Sequence, residues 1–202
     1  RKSPFAPAAP CMGLGTWQLT RDTSGTVEAA LDLGYRLIDT SGDYGTQPGI
    51  GKGIERSGVR REDLFIETKI EETDDAYEAA RKNLDELHLD YVDLMLIHRP
   101  PASGAGEELW RGLIRARDEG LTRDIGVSNY PAGLIEKLID ATSEVPVVNQ
   151  IEWTPLGHSA QMKRYAHARG LVIQAYSPLT RATRLDDTVL RSEERRVGHE
   201  CR

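Results

Sequence analysis

Four residues at or just beyond the ends of apolar runs have the side chains to move a proton together. Asp39 and Tyr44 lie in "YRLIDTSGDYG" (35–45), Lys69 in "LFIETKI" (64–70) and His98 in "VDLMLIH" (92–98). A phenol, with an ordinary pKa of ~10, exchanges protons poorly near neutrality. An adjacent ammonium favours the phenolate and lowers that pKa, while a carboxylate beside the ammonium keeps it charged and oriented. A neighbouring imidazole can hydrogen-bond a substrate oxygen. The set suits reduction of a carbonyl, in which oxygen gains a proton as carbon gains hydride. No side chain supplies hydride, so a nicotinamide cofactor is implied. Each residue alone has a plainer reading: Asp39 as a turn cap, Tyr44 as a loop aromatic, Lys69 as a solvated strand end, His98 as a structural histidine. Lys69 also has a sharper rival role, as the Schiff-base lysine of an aldolase.

Groups so far apart in sequence need a scaffold that gathers them. Short β-rich runs alternate with longer amphipathic stretches. The runs are 13–17, 35–40, 64–70, 92–98, 123–129, 147–153 and 171–177. Between them, Val27, Ala30 and Leu31 share one helical face, with Gly34 as a stop. Tyr77, Ala80, Leu84 and Leu87 share another, with Thr73 as the expected N-cap. Pro131 suits the start of a third helix. "GLGTWQ" lacks the third glycine of a dinucleotide-binding G-x-G-x-x-G, and "GIGKGI" (49–54) has the wrong spacing and reads as the start of a surface helix. An open doubly wound sheet is thereby disfavoured. Asp39, Lys69 and His98 are 69 − 39 = 30 and 98 − 69 = 29 residues apart, near the ~30 residues of one βαβ unit. The expected fold is α/β: a parallel (β/α)8 TIM barrel, incomplete, with about seven strands and with the eighth strand and last helices missing. In such a barrel the strand C-terminal ends converge on one mouth.

The composition narrows the partners. The net charge is −6 with no long basic block, which argues against nucleic acid and anionic membranes. No apolar run approaches the ~20 residues of a membrane-spanning helix, and the first ten residues lack a signal-peptide core. Cys11 and Cys201 lie at opposite ends and match no metal spacing, so the expectation is no metal and a cytoplasmic location. His88, His158 and His167 read as surface residues, and Trp110 as core.

In order, "GLGTW", "YRLIDTSGDYG", "ETKI", "DYVDLMLIHRP", "IGVSNY", "VNQIEWTP" and "AYSPL" resemble the aldo-keto reductases, from about residue 11 to about residue 190. The resemblance implies an NAD(P)H-dependent reductase of small-molecule aldehydes and ketones, using NADPH or NADH and acting as a monomer. It implies that Tyr44 is the general acid/base, that Lys69 lowers its pKa, that Asp39 pairs with Lys69 and that His98 orients the carbonyl. Ser128, Asn129 and Gln150 match the grip on the nicotinamide carboxamide, and Tyr176 the ring stacked on the nicotinamide. Thr16 and Trp17 match the mouth, and Ser177 and Leu179 the pyrophosphate contacts. A non-catalytic cofactor-binding subunit and an inactive fragment are the alternatives within the family.

Three features depart from the pattern. Arg99 replaces the tryptophan common after the histidine, which predicts tolerance of anionic or polar carbonyl substrates. Trp153 and Thr180 also differ, at positions away from the chemistry. Residues 191–202, "RSEERRVGHECR", have no apolar period and match the adapter-like string RSEERRVGKECR except at His199. The expected organisation is one partial barrel domain, 1–190, followed by a non-native, disordered tail, 191–202.

Overall fold

Side chains alternate between the two faces of a strand, so each strand here serves a core outside the sheet and a second layer inside it. The computed structural model describes residues 9–73 and 75–179. Seven parallel strands follow one another in sequence order: β1 (Gly13–Gly15), β2 (Leu37–Asp39), β3 (Phe65–Ile70), β4 (Val92–Ile97), β5 (Thr122–Ser128), β6 (Val148–Glu152) and β7 (Val172–Tyr176). Helices α1 (Thr23–Asp32), α2 (Gln47–Ser57), α3 (Ala76–Leu87), α4 (Glu107–Asp118), α5 (Ala132–Thr142) and α6 (Ala160–Arg169) lie between them. A 3-10 turn, Gly42–Tyr44, and a second, Arg61–Asp63, bracket α2.

The sheet curls into a nearly closed barrel. Gln150 Nε2 on β6 reaches Asp39 Oδ1 on β2 at 3.0 Å, and Gln174 Nε2 on β7 reaches Glu67 on β3 at 2.7 and 2.8 Å. Such bonds between non-neighbouring strands require a closed interior. Among the described residues β1 and β7 are not paired. They face each other across a cavity of about 640 Å³ that both line. The architecture is therefore the expected TIM-like barrel, incomplete at this seam. Thr180 and the 191–202 tail lie outside the described residues.

Inside the barrel, Leu37, Phe65, Leu94, Leu96 and Val148 form a small apolar cluster. Successive inward positions toward the C-termini then turn polar: Phe65, Glu67, Lys69 on β3 and Val148, Gln150 on β6. The larger core lies between the sheet and the helices and includes Val27, Ile66, Leu84, Met95, Trp110 and Leu138, with Trp110 fully buried.

Two local expectations need correction. The N-cap of α3 is Asp75 rather than Thr73, because its carboxylate accepts from the Tyr77 and Glu78 amides at the positive end of the helix. "GIGKGI" belongs to a helix, but its glycines are packing positions and not a surface feature. A Cβ on Gly51 would stand 2.4 Å from the Leu87 carbonyl oxygen, and one on Gly53 2.7 Å from that of Ser24. These residues let α1, α2 and α3 approach at backbone distance. Pro131 does precede a helix, and Gly34, at φ +96°, follows the end of α1.

Gly51→Ala is expected to cost about 1–3 kcal/mol, because a backbone oxygen cannot yield. Gly133→Ala, on the exposed start of α5 with open space around it, is expected to be neutral or stabilising by up to about 1 kcal/mol. Thermal melts of the two variants beside the parent check the contrast.

Candidate active site

The site begins with a buried ammonium. Lys69, near the C-terminal end of β3, is 1% exposed, and its Nζ donates to Asp39 Oδ1 at 2.5 Å and to the Thr40 carbonyl at 2.8 Å. The backbone on either side is held in turn. Asn83 Nδ2 donates to the Lys69 carbonyl, while Thr16 donates to the Asp39 carbonyl through both its amide and its hydroxyl. Burial draws the Lys69 pKa down, but Asp39, Tyr44 and Glu67 together outweigh it and leave it raised. Lys69 is thus an ammonium.

Tyr44 closes the 3-10 turn after β2, and Gly45 supplies the left-handed residue (φ +67°) that redirects the chain. Lys69 Nζ lies 5.3 Å from the centre of its ring, and the His98 ring meets it edge-on at 5.8 Å. Burial raises the phenol's pKa. Lys69 pulls it back, Asp39 and Asp43 push it up, and the net direction is upward. The expected lowering by Lys69 is present but loses to desolvation. Tyr44 is therefore a neutral phenol.

His98, one residue past β4, is 6% exposed. Its Nδ1 lies 2.6 Å from Glu71 Oε1 and 3.6 Å from Asp43 Oδ1. Ser41 Oγ donates to the same Glu71 oxygen at 3.2 Å. Burial raises the Glu71 carboxyl, while the bond to His98 draws it down and Asp43 pushes it up.

Trp17, Asp39, Asp43, Tyr44, His98, Arg99, Ser128, Asn129, Gln150, Tyr176 and Ser177, with Gly15, line one cavity of about 380 Å³. Its far wall is a chain of bonds: Tyr176 donates to Asn129 Oδ1 at 2.9 Å, Asn129 Nδ2 donates to the His98 carbonyl at 3.1 Å, and Ser128 Oγ to the Gln150 carbonyl at 2.8 Å. Asn129 and Ser177 adopt φ of +62° and +49°, conformations that few such residues take up. Beneath this wall, Gln150 Nε2 contacts Asp39, Glu67 and Gln174. Arg99 is exposed at the mouth and makes no ion pair among the described residues.

Most of the expected site residues thus meet. Thr16 is a correction. It is fully buried, and its hydroxyl, spent on the Asp39 carbonyl and near Thr46 Oγ1 at 3.3 Å, secures the β1–β2 ends instead of facing the mouth. Leu179 is 63% exposed beyond the cavity. Glu67, Gln174 and Glu71 were not expected. The first two sit two residues before Lys69 and Tyr176, so strand alternation alone places them on the same inner face. Glu71 lies on a loop, where no periodic signal points to it.

The pattern of the aldo/keto reductase family matches residues 11–198. An aldo-keto reductase of Mycobacterium tuberculosis is 44% identical over 189 residues, covering 91% of this chain and 67% of the relative. Among solved structures, an aldo/keto reductase from Brucella melitensis superposes with a TM-score of 0.85 at 37% identity, covering 94% of this chain and 75% of that one. A Bombyx mori aldo-keto reductase in complex with NADP gives 0.77 at 33% identity, covering 84% and 62%.

Glu67 is fully buried beside Asp39, and burial first, then Asp39, raise its carboxyl well above its ordinary value. The folded chain then holds a proton that the unfolded chain releases at the ordinary carboxyl pKa. Its contribution is complete below that pKa and is lost as pH rises through the folded value. Glu67→Gln, a neutral mimic of the acid, is expected to match the parent at low pH. It should gain on the parent as pH rises, by about 1.4 kcal/mol for each pKa unit of elevation traversed. Denaturant melts from pH 4 to 8 check the sign.

Proposed function

The chain belongs to the aldo/keto reductase family, and from that premise we propose that it reduces aldehydes and ketones to alcohols with Tyr44 as proton donor. The observation that carries the reading is the meeting of Tyr44, the Lys69–Asp39 pair and His98 around one cavity. The hydride source is NADPH or NADH. The donor set suits a flat ring bearing an amide: the half-buried Tyr176 ring, the Asn129 and Gln150 amides and the Ser128 hydroxyl border the cavity. Across from them, a Cβ on Gly15 would meet nothing within 4 Å, which leaves room for such a ring. Ser128, Asn129 and Gln150 would hold the carboxamide, Tyr176 the ring face, Trp17 the mouth, and Ser177 with Leu179 the pyrophosphate. Bound there, the nicotinamide supplies the hydride.

The protein's part is the proton. Tyr44, a neutral phenol, gives its proton to the carbonyl oxygen as carbon takes up hydride. The phenolate left behind is stabilised by the Lys69 ammonium, itself held charged by Asp39. His98 donates to the same oxygen and fixes its position. A Schiff-base aldolase has no support here, because the lysine such chemistry needs as a free amine is a hydrogen-bonded ammonium. Arg99 adds selectivity. Asp43 and Glu71 are turned to His98, and Arg99, exposed at the mouth without an ion pair among the described residues, is left to meet an anionic group on the substrate.

Tyr44→Phe is expected to lower carbonyl reduction by about 10²–10⁴-fold while NADPH binding, followed by fluorescence quenching, is unchanged. Full activity in this variant would remove Tyr44 from the chemistry, and slow turnover by the parent would favour a cofactor-binding subunit. For Arg99, kcat/KM toward a carboxylated aldehyde is expected to exceed that toward its neutral analogue by roughly tenfold or more, and Arg99→Ala should erase the difference. Equal turnover of both aldehydes by the parent would rule the preference out.

A further inference from the structure

We propose that Glu71 is a positioning residue that shares two protons with the His98 ring, so that Nε2 points an N–H at the substrate oxygen. The inference rests on the reductase reading and adds a residue that neither the four-residue constellation nor the cofactor contacts contain.

The geometry leaves His98 little choice. Its backbone amide is fixed to the Ile70 carbonyl at 2.9 Å, and its carbonyl accepts from Asn129. Its Nδ1 is committed to Glu71 Oε1 at 2.6 Å, a charge-assisted distance, with Ser41 Oγ bridging at 3.2 Å to the carboxylate and 3.4 Å to Nδ1. Only Nε2 remains for a ligand. Whether it carries hydrogen depends on how many protons the imidazole and the carboxyl group hold between them.

With two protons on the pair, one occupies the Nδ1···Oε1 bond and the other sits on Nε2, which donates. This holds equally for an imidazolium beside a carboxylate and for a neutral imidazole beside a carboxylic acid. With one proton, the carboxylate draws it to Nδ1, and Nε2 turns a lone pair toward the carbonyl oxygen. The contact then changes from attraction to repulsion. Reduction therefore requires the doubly protonated pair and is lost when the pair gives up one proton, separately from the loss of the Tyr44 proton.

Several charged and polar groups face the ring. Asp43 stands 3.6 Å from Nδ1 as a second carboxylate, and Glu71 is itself driven toward its protonated form by burial. Tyr44 meets the ring edge, the Lys69–Asp39 pair lies behind Tyr44 as a neutral unit, and β5 presents only the uncharged Ser128 and Asn129. Arg99, the next residue, is the one nearby cation not already paired among the described residues, and it opposes the imidazolium.

The test compares the parent with Glu71→Gln and Glu71→Ala. An amide at 71 can donate to a bare Nδ1, which leaves Nε2–H in place without a titrating partner. Glu71→Gln is therefore expected to keep the reduction rate within a few-fold of the parent and to lose the lower of two basic limbs in the pH profile of kcat/KM. Glu71→Ala removes no donor but frees the ring to turn, and should lower kcat by about 10²-fold through misplacement of Nε2, with KM for NADPH unchanged. Independently of activity, ¹⁵N spectra of the His98 ring, assigned by the signal missing in His98→Ala, should show the parent passing to the Nδ1–H tautomer as pH rises. Glu71→Gln should retain Nε2–H throughout. A Glu71→Gln profile that superimposes on the parent's, or ring tautomers that ignore the substitution, would overturn the proposal. A parent that reduces no carbonyl overturns the reductase reading instead, and the ring spectra still decide the role of Glu71.

Discussion

The arrangement depends on one buried ion pair. A lysine that is 1% exposed is tolerable only with a counter-charge, since a lone buried ammonium costs several kcal/mol. Asp39 provides it, and the requirement spreads outward. The carboxylate has to stand at the C-terminal end of β2, the Thr40 carbonyl has to turn inward, and the neighbouring backbone has to be secured. Asn83 on α3 holds the Lys69 carbonyl, Gln47 on α2 holds Asn83 at 3.0 Å and accepts from Thr68 at 2.7 Å, and Thr16 holds Asp39. Two helices and three strands thus brace one charge. What the barrel gains is an ammonium of fixed position beside a phenol.

A second carboxyl in the same interior would upset that balance if it were ionised. Glu67 avoids this by retaining its proton, so that the layer holds one cation, one anion and a set of neutral hydrogen-bonding groups. Gln150 and Gln174 connect these groups across the barrel from β6 and β7 to β2 and β3. A polar layer is acceptable inside a protein when its members are satisfied, and here it has a mechanical consequence as well. With β1 and β7 unpaired among the described residues, the cross-barrel amides tie β6 and β7 to β2 and β3 across the interior.

Chemistry divides between strands and loops accordingly. Strand ends carry the groups whose position has to be exact to a fraction of an ångström, namely Asp39, Lys69, His98 and Ser128. The loops that follow them carry Tyr44, Glu71, Arg99 and Asn129. Loops accept variation because their side chains face the cavity and do not pack the core. This is how an arginine can stand beside His98 without disturbing the Lys69–Asp39 pair of β3 and β2.

By itself the sequence determined the seven strands, the barrel and most of the residues at its mouth. Those follow from short-range rules: apolar runs of strand length, amphipathic helices between them, and polar residues recurring every ~30 positions at strand ends. It did not reveal that the Gly51 and Gly53 glycines are places of helix contact, because close approach is a relation between segments far apart in the chain. It suggested that Thr16 faced the mouth, since a residue's neighbours across the sheet cannot be read along the strand. Nor did it identify Glu67 as a neutral acid, Tyr44 as a phenol whose burial outweighs its lysine, or Glu71 as the partner of His98. Protonation depends on which charges surround a group and how much water reaches it, and the folded barrel alone sets both.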